Sequence, residues 1–247
     1  FLSHGVGSYA SRSAVMAGSA VHHASTRLKE TIVSLAANHF EAGADDVVLE
    51  DGAAFVRGFP DRRCSLREIA AMAGRPLEQE WRHEAARGIG SLAVHIATVA
   101  VDVTTGRVRP EAYFALCDVG RAINPAVVDG QLVGGVIQGL GQATMEEITY
   151  DESGQLLSGT LMDYAIPTAA DAPLVEVAMH NSPAGSNPLG VKGAGEGGTS
   201  GVGAALANAV AAAIGQTVAP RHLPLTAPRV KAALEGRAPE SRQEEAR

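Results

Sequence analysis

Aromatic residues and long apolar runs are both scarce in this chain, and each scarcity excludes a class of protein. Phe, Trp and Tyr together make up only 4% of the 247 residues, so the core must be built from Ala, Val, Leu and Ile. No stretch approaches the roughly 18 uninterrupted apolar residues that a membrane-spanning helix needs. No segment has the charged, then apolar, then small-residue order of a signal peptide. The sequence therefore predicts a protein without a membrane span.

Cysteine is rarer still, because the chain has only Cys64 and Cys117. Neither lies in a CxxC pattern or at a spacing typical of a metal site, which favours two plain thiols; a single disulfide between them is the alternative. So few cysteines are typical of a protein from a reducing compartment, and we expect a cytoplasmic location.

Positive charge is also limited. The 20 Lys and Arg residues stand against 27 Asp and Glu residues, and the formal net charge is −7. No local Lys/Arg cluster reverses this balance, and nucleic-acid-binding proteins normally carry a basic surface. We therefore expect no nucleic-acid partner. Hydrophobic residues at 46% and charged residues at 19% are ordinary values for a folded globular protein.

The length of the chain is enough for one large domain or two closely packed lobes. There is no internal repeat and no convincing linker, so we predict one domain over residues 1–235 and a charged tail over residues 236–247. The chain starts at Phe1 without an initiating methionine, and we therefore expect it to be part of a longer reading frame.

Local patterns predict several helices and strands. Two signals are specific: Asp51-Gly52 is a favoured two-residue hairpin turn, and Ser65 with Glu68 has the spacing of a capping box that opens a helix. Apolar spacing and turn residues predict, in chain order, a helix over 14–40 capped by Ser13, strands over 92–103 and 108–118, a helix over 129–147, a turn at 151–154, a strand over 174–180 and an alanine-rich helix ending near 214.

The predicted helix over 129–147 contains four glycines, at positions 134, 135, 139 and 141. Each glycine in a helix interior costs up to about 1 kcal/mol relative to alanine. Four of them therefore indicate close approach of another backbone or of a bound molecule. Near this helix, Asp118 and Asp129 lie at predicted strand and helix boundaries, where capping explains them. The pair Asn124-Pro125 is most simply a turn.

The segment SNPLGVKGAGEGGTSGVG, residues 186–203, packs seven glycines around one acid and one base. Such a loop at a helix start can hold an anion with its backbone N–H groups. It lacks the G-x-x-x-x-G-K-[ST] pattern of a phosphate loop. Gly193, Gly195 and Gly198 match G-x-G-x-x-G, but Pro188 interrupts the approach and no acid follows at the expected distance. A dinucleotide site is therefore disfavoured.

Glu196 is the acid in this segment. Small neighbours can leave such a carboxylate partly desolvated, and desolvation raises the pKa of a carboxyl group toward the range useful for a general base. The alternative is a solvated glutamate near a helix start, stabilised by the helix dipole. Composition alone favours the solvated alternative.

Four segments of the chain resemble one family. GVKGAGEGGTSGVGAALANAVAAAIG, residues 190–215, is similar to the signature of the molybdopterin-binding large subunits of the xanthine dehydrogenase, aldehyde oxidase and carbon monoxide dehydrogenase family. VGSYASRSAVMAGSAV (6–21) resembles a serine-bearing cofactor loop, CDVGRAINPAVVDGQLVGGVIQGLGQATMEE (117–147) a helix with a Q-G-x-G cofactor contact, and SGTLMDYAIPTAADAP (158–173) the loop after it. The resemblance implies an α/β (α+β) fold with mixed sheets, flanking helices and two lobes.

The resemblance also implies a chemistry, the oxidative hydroxylation of an aldehyde or N-heteroaromatic C–H centre with water as the oxygen source. Glu196 falls on the family's catalytic base, whose implied role is to take the proton from a molybdenum-bound hydroxide. The implied cofactor-binding residues are Gln138, Ser11, Arg12, Ser13, Lys192 and Gly195. We expect molybdopterin with molybdenum, in its cytosine dinucleotide form, and Arg12 as a charged donor to the pyrophosphate. The alternative for Arg12 is a surface arginine, and the alternative for Gln138 is a polar residue on the exposed face of a helix.

No metal ligand is predicted from this chain. His22 and His23 are adjacent on a helix and point to different faces, so they cannot bind one metal together. The resemblance implies an iron–sulfur small subunit and an FAD medium subunit as partners, a small-molecule substrate, and an upstream half of the same subunit that completes the pocket. Alone, the chain is expected to be inactive. Carbon monoxide dehydrogenase is the alternative enzyme, and a non-catalytic assembly half is the alternative of another class.

Overall fold

The computed structural model describes residues 5, 7–84, 90–216 and 220–237. The chain forms two compact units. The smaller unit comprises Ser13–Arg87 and Ser186–Leu189, and the larger unit comprises Phe1–Arg12, Gly88–Gly185 and Gly190–Arg247. The predicted α/β (α+β) class with mixed sheets and flanking helices is confirmed. The domain boundary at residue 235 stays a prediction, and most of the predicted tail lies outside the described residues.

The smaller unit begins with a long helix. A π-helical turn, Ala14–Gly18, leads into α1, Ser19–Phe40, which confirms the predicted helix over 14–40. Ser13 as its N-cap was wrong. The backbone of Ser13 is already helical, with φ −58° and ψ −47°, and its side chain makes no capping hydrogen bond. An N-cap needs a non-helical backbone for its side chain to reach the first free N–H groups.

A three-stranded antiparallel sheet follows, made of β1 (Val47–Glu50), β2 (Ala53–Val56) and β3 (Phe59–Ser65). The hairpin at Asp51-Gly52 is confirmed, because both residues have the positive φ of a favoured turn, 49° and 73°. The sequence missed β3 because most of its side chains are polar and exposed, so no apolar alternation marks it.

Helix α2, Leu66–Met72, starts at the predicted capping box. The N–H of Ser65 donates to Glu68 Oε2 at 2.7 Å, and the N–H of Glu68 donates to Ser65 Oγ at 3.3 Å. The sheet and both helices bury a small core between them. It is formed by Ala36, Ala37, Phe40, Val47, Ala54, Cys64 and Ile69.

The larger unit contains a mixed three-stranded sheet. β4 (Leu92–Val101) and β5 (Val108–Asp118) are antiparallel, which confirms the predicted pair, and β6 (Leu174–His180) lies parallel to β5. Between β5 and β6 the chain forms a helix and the predicted turn at residues 151–154, where the N–H of Asp151 donates to the carbonyl of Gln155 at 2.9 Å.

Helix α3, Pro125–Thr144, starts four residues before the predicted position. Asn124 is its N-cap, since Asn124 Oδ1 accepts from the N–H of Val127 at 3.3 Å, and proline suits the first helical position. Asn124-Pro125 is therefore a helix start rather than a simple turn. Asp129 lies inside the helix, so the capping role predicted for it was wrong.

Two helices close the larger unit, α4 (Val202–Ala213) and α5 (Ala227–Leu234). The sequence predicted α4 but not α5, which has only eight residues. The core lies between the sheet and the helices. It includes Tyr113, Ala115, Val136, Leu140, Ala143, Val202, Leu206, Ala207, Val210, Leu225 and Val230.

The glycines of α3 let another segment come close, as predicted. A Cβ on Gly135 would lie 3.0 Å from backbone atoms of Gly198, and one on Gly139 would lie 2.6 Å from Val202. Gly141 packs in the same way against Pro167. Gly134 differs, because nothing in the chain lies within 4 Å of its would-be Cβ.

Candidate functional site

The backbone of Glu196 is held on both sides in the turn that precedes α4. Its N–H donates to Ser11 Oγ at 2.9 Å. Its carbonyl accepts from the N–H of Thr199 at 3.1 Å and from the N–H and hydroxyl of Ser200 at 3.2 and 2.9 Å. The main chain at Glu196 is therefore fixed by the first residues of the large unit and by its own turn.

The carbonyls on either side of Glu196 are held by two different elements. Gln131 Nε2 on α3 donates to the carbonyl oxygen of Gly195 at 3.0 Å. His95 Nε2 on β4 lies 3.0 Å from the carbonyl oxygen of Gly197. A helix and a strand thus determine the position of Glu196 within the loop. Sites supported by regular elements keep their geometry better than free loops do.

The glycines of this segment are required by packing. A Cβ on Gly193 would lie 2.8 Å from the Cβ of Ser11, and one on Gly195 would lie 3.0 Å from Ser11 Oγ. A Cβ on Gly198 would overlap the backbone of Leu132 on α3. Ser11 itself has a left-handed backbone, with φ 54°. The loop with Glu196 therefore lies directly against Ser11 and α3.

The side chain of Glu196 is exposed in this chain. Of the two interpretations that the sequence allowed, the solvated carboxylate near a helix start fits this exposure. The main chain of Glu196 is held by hydrogen bonds, and its carboxylate is exposed to solvent. The carboxylate is therefore carried by a well-positioned backbone.

Lys192 forms an ion pair with Asp118 at the end of β5. The Nζ–Oδ2 distance is 2.5 Å, and the two side chains are only 13% and 14% exposed. Asp118 Oδ1 also accepts from the N–H groups of Gly120 and Ser182, at 3.0 and 3.3 Å. Burial raises the pKa of Asp118, but the hydrogen bonds from Lys192, Gly120 and Ser182 outweigh it and hold the pKa below its usual value. The ion pair therefore links Lys192, near the start of the glycine-rich loop, to the end of β5.

Gln138 lies on the exposed face of α3. Gln131, the residue that holds Gly195, lies seven positions earlier on the same helix, about 10 Å along its axis. Gly134 lies between them, also exposed. No other described residue hydrogen-bonds the side chain of Gln138, so its amide is available on the surface.

The predicted cofactor loop, Ser11 to Ser13, is divided by the structure. Ser11 contacts the Glu196 loop. The guanidinium of Arg12 lies over the ring of Tyr9, 4.7 Å from its centroid, and donates to the Tyr9 hydroxyl at 2.5 Å. Ser13 begins the helical part of the smaller unit. Ser11 therefore supports the loop that carries Glu196.

Two residues that hold the loop, His95 and Gln131, were missed by sequence reasoning. Alternate residues of β4 are exposed, and His95 is on the half-buried register of that strand. A histidine at a half-buried strand position is a signal that could have drawn attention to it. Gln131 offers only its seven-residue spacing from Gln138, which puts both on one face of a helix.

In residues 5, 7–84, 90–216 and 220–237, no group of three or more His, Cys, Asp or Glu side chains could hold a metal ion. His23 packs instead against Trp81, with ring centroids 5.0 Å apart. Cys64 and Cys117 are free and buried, so the disulfide alternative is wrong. Within the same ranges no helix is both long and apolar enough to cross a membrane.

Comparison with known proteins assigns the family. A family model described as a molybdopterin cofactor-binding domain matches residues 2–173. The nicotine 6-hydroxylase large subunit of Paenarthrobacter nicotinovorans is 34% identical over 208 residues, which are 79% of this chain and 25% of that protein. The carbon monoxide dehydrogenase large chain of Afipia carboxidovorans is 30% identical over 201 residues, 78% of this chain and 25% of that protein.

Solved structures agree with this assignment. Quinoline 2-oxidoreductase from Pseudomonas putida 86 superposes with a TM-score of 0.78 and 33% identity, over 95% of this chain and 31% of that one. The Cu,Mo carbon monoxide dehydrogenase gives a TM-score of 0.77 and 28% identity, over 94% and 30%. The chain belongs to the molybdopterin-binding large subunits of the molybdenum hydroxylases. It spans a quarter of the length of these curated relatives.

Proposed function

We propose that this chain supplies the general base and part of the pterin-binding surface of a molybdenum-dependent hydroxylase. The observation that carries the proposal is Glu196, an exposed carboxylate whose backbone is held by Ser11 and whose neighbouring carbonyls are held by Gln131 and His95. A base must be positioned before it can take a proton efficiently. In this proposal the hydrogen-bonded loop positions the carboxylate of Glu196.

The residues present fit a molybdopterin group. The exposed amide of Gln138, the hydroxyl of Ser11 and the guanidinium of Arg12 are polar donors of the larger unit, and Gly134 leaves open space beside Gln138. A backbone or ring can approach a helix closely where glycine replaces a larger residue. Arg12 suits the pyrophosphate of the cytosine dinucleotide form, because guanidinium–phosphate bonds are charge-assisted.

Lys192 and Gly195 take supporting roles in the proposal. Lys192 is engaged with Asp118, and the carbonyl of Gly195 is engaged with Gln131. Both therefore position the loop rather than contact the cofactor through these groups. This narrows the sequence-based expectation, which counted both among the cofactor-binding residues.

The proposed reaction converts a C–H group and one water molecule into a C–OH group, two protons and two electrons. When bound, molybdenum would supply the activation of the oxygen atom and a place for the two electrons. Glu196 accepts a proton at a carboxylate oxygen, which its exposed position allows. The electrons would then pass to a small and a medium partner subunit, which we propose to hold Fe–S clusters and FAD.

An aldehyde or N-heteroaromatic compound is the proposed substrate class. Two relatives are named for N-heteroaromatic compounds, nicotine and quinoline, at 34% and 33% identity. Carbon monoxide oxidation is the second candidate, supported by the 30% identical carbon monoxide dehydrogenase chain. The rest of the subunit would complete the pocket, so we propose that the chain alone is inactive. The two free thiols support a cytoplasmic location.

The decisive experiment replaces Glu196 with glutamine in the assembled enzyme. We expect Glu196→Gln to lower kcat by at least about 100-fold with molybdenum content unchanged, because the amide cannot accept the proton. Glu152→Gln, at an exposed turn of the same unit, is the matched control and should keep native turnover. Full activity of Glu196→Gln would overturn the catalytic proposal and favour the assembly role.

A further inference from the structure

His95 makes two hydrogen bonds that together determine its protonation pattern. Its Nε2 lies 3.0 Å from the carbonyl oxygen of Gly197, and its Nδ1 lies 2.9 Å from the hydroxyl of Tyr113. A backbone carbonyl can only accept, so Nε2 must carry the proton. In a neutral imidazole Nδ1 then has a lone pair, and Tyr113 must be the donor to it.

The surroundings keep both partners in these states. Tyr113 is only 2% exposed, and burial raises the pKa of its hydroxyl, so it remains a proton donor. Burial also lowers the pKa of His95, against the opposing hydrogen bond to Gly197. The imidazole is therefore neutral near pH 7, with its proton directed at the loop.

The imidazole ring is also confined by its neighbours. Gly201, the residue before α4, lies so close that any side chain there would overlap the ring. Tyr113 packs edge-on, with ring centroids 5.9 Å apart. His95 thus lies against Gly197, inside the turn that the Glu196 carbonyl makes with Thr199 and Ser200, and against Gly201, the residue just after that turn.

We propose that His95, held in its Nε2–H form by Tyr113, is a positioning residue for Glu196. The inference rests on the proposed function, because it gives His95 the task of directing that base. Gly197 follows Glu196 directly, and its carbonyl lies in the peptide plane that joins Gly197 to Gly198, so the hydrogen bond from His95 fixes the main chain one residue after Glu196. Gln131 limits the other side through Gly195. His95 touches neither the substrate nor the metal in this scheme.

The tautomer can be measured without activity. Nitrogen-15 NMR of the histidine rings of this chain should show His95 as the Nε2–H form at pH 7.5, and Tyr113→Phe should raise the fraction of the Nδ1–H form. A native His95 that is doubly protonated or carries its proton on Nδ1 at that pH would overturn the inference. This result does not depend on whether Glu196 is a base.

Kinetics of the assembled enzyme test the positioning role. We expect His95→Leu to lower kcat about 10-fold, because the loop loses one hydrogen bond that positions Glu196. KM and the molybdenum content should stay within twofold of native. His95→Gln retains an N–H donor and should recover part of the loss. His180→Gln, an exposed histidine on β6, is the matched control and should be native. An unchanged kcat in His95→Leu would overturn the inference.

A double variant separates this inference from the proposed function. If His95 acts through Glu196, then His95→Leu should cause no further loss of kcat in a Glu196→Gln background, because residues that act as a unit are not additive. A full additional 10-fold loss would show that His95 acts independently and would contradict the inference. Native activity of Glu196→Gln alone would instead contradict the proposed function, while the NMR result would stand.

Discussion

The hydroxyl oxygen of Ser11 accepts a hydrogen bond from the backbone N–H of Glu196, 2.9 Å away and 185 positions along the chain. This contact joins the beginning of the larger unit to the loop with the acid. It also explains why Gly193 and Gly195 have no side chains, because Ser11 occupies the space where they would lie.

We expect Ser11→Ala to lower the free energy of unfolding by about 1 kcal/mol, since the N–H of Glu196 loses its acceptor. Chemical denaturation of the chain measures this difference. Ser25→Ala is the control, because Ser25 is exposed on α1 and bonds only to the backbone of its own helix; it should change stability by less than about 0.5 kcal/mol. Equal effects of the two substitutions would contradict the role given to Ser11.

The Asp118–Lys192 pair should matter for stability. We expect Asp118→Asn to destabilise the chain by about 3 kcal/mol, because it leaves the ammonium of Lys192 without its counter-charge in a nearly buried place. The pair Arg109–Glu111 provides a control, as its side chains are 73% and 47% exposed. Glu111→Gln should cost less than about 1 kcal/mol.

The stability that Asp118 contributes should also depend on pH, and it should decrease as the pH falls. The pKa of Asp118 is lowered in the folded state, so its contribution is present above the ordinary aspartate pKa of 3.8 and is lost as pH falls through the folded pKa. Urea unfolding of native and Asp118→Asn chains between pH 6 and pH 3 should show their difference shrinking. A constant difference across that range would count against the ion pair.

His95 predicts a second pH effect, at higher pH. Its pKa is lowered from 6.5 in the folded state, so the unfolded chain binds the proton more readily and stability falls as pH drops below 6.5. In His95→Gln this component is absent. The stability advantage of native over His95→Gln, measured by urea unfolding, should therefore be smaller at pH 5.5 than at pH 7.5; a larger advantage at pH 5.5 would refute it.

A glycine within α3 and a glycine of the loop packed against α3 should respond in opposite ways to substitution by alanine. Gly198→Ala overlaps the backbone of Leu132 and should destabilise the chain by about 3 kcal/mol. Gly134→Ala meets no atom within 4 Å and should stabilise it by about 0.5 kcal/mol. Thermal unfolding of the two variants distinguishes these outcomes. Destabilisation by Gly134→Ala would contradict the open space beside Gln138.

Gln138 gives the test of the cofactor surface. We expect Gln138→Ala to leave the stability of the chain unchanged, because its side chain is exposed, and to weaken retention of molybdopterin in the assembled enzyme about 10-fold, the loss of one hydrogen bond. Gln142→Ala, one turn further along the same helix and also exposed, is the control. Equal retention in both variants would argue against a contact at Gln138.

The sequence was sufficient wherever the signal was local. The capping box of Ser65 and Glu68 and the turn at Asp51-Gly52 involve residues within three positions of each other, so their chemistry is visible in a short window. The strand pair β4–β5 has the same advantage, because its partners are adjacent along the chain. Local signals failed in β3, whose side chains are mostly polar and exposed, and α5 was missed because it has only eight residues.

In the candidate site, too, some residues could be found from the sequence and others could not. The glycine pattern and the family resemblance singled out Glu196 from sequence. The residues that hold it could not be found there, since His95 and Gln131 reach the loop over 102 and 64 positions. The cofactor contacts of Gln138, Arg12 and Ser13 stay predictions.

The sequence by itself determined the family, the order of most helices and strands, and the acid on the glycine loop. Only the tertiary structure decided which atoms each glycine leaves room for, and that Lys192 pairs with Asp118 while Ser11, Gln131 and His95 hold the main chain around Glu196. The physical reason is that backbone hydrogen bonding and turn geometry depend on neighbours in sequence. Packing and ion pairing depend on neighbours in space, which the fold alone brings together.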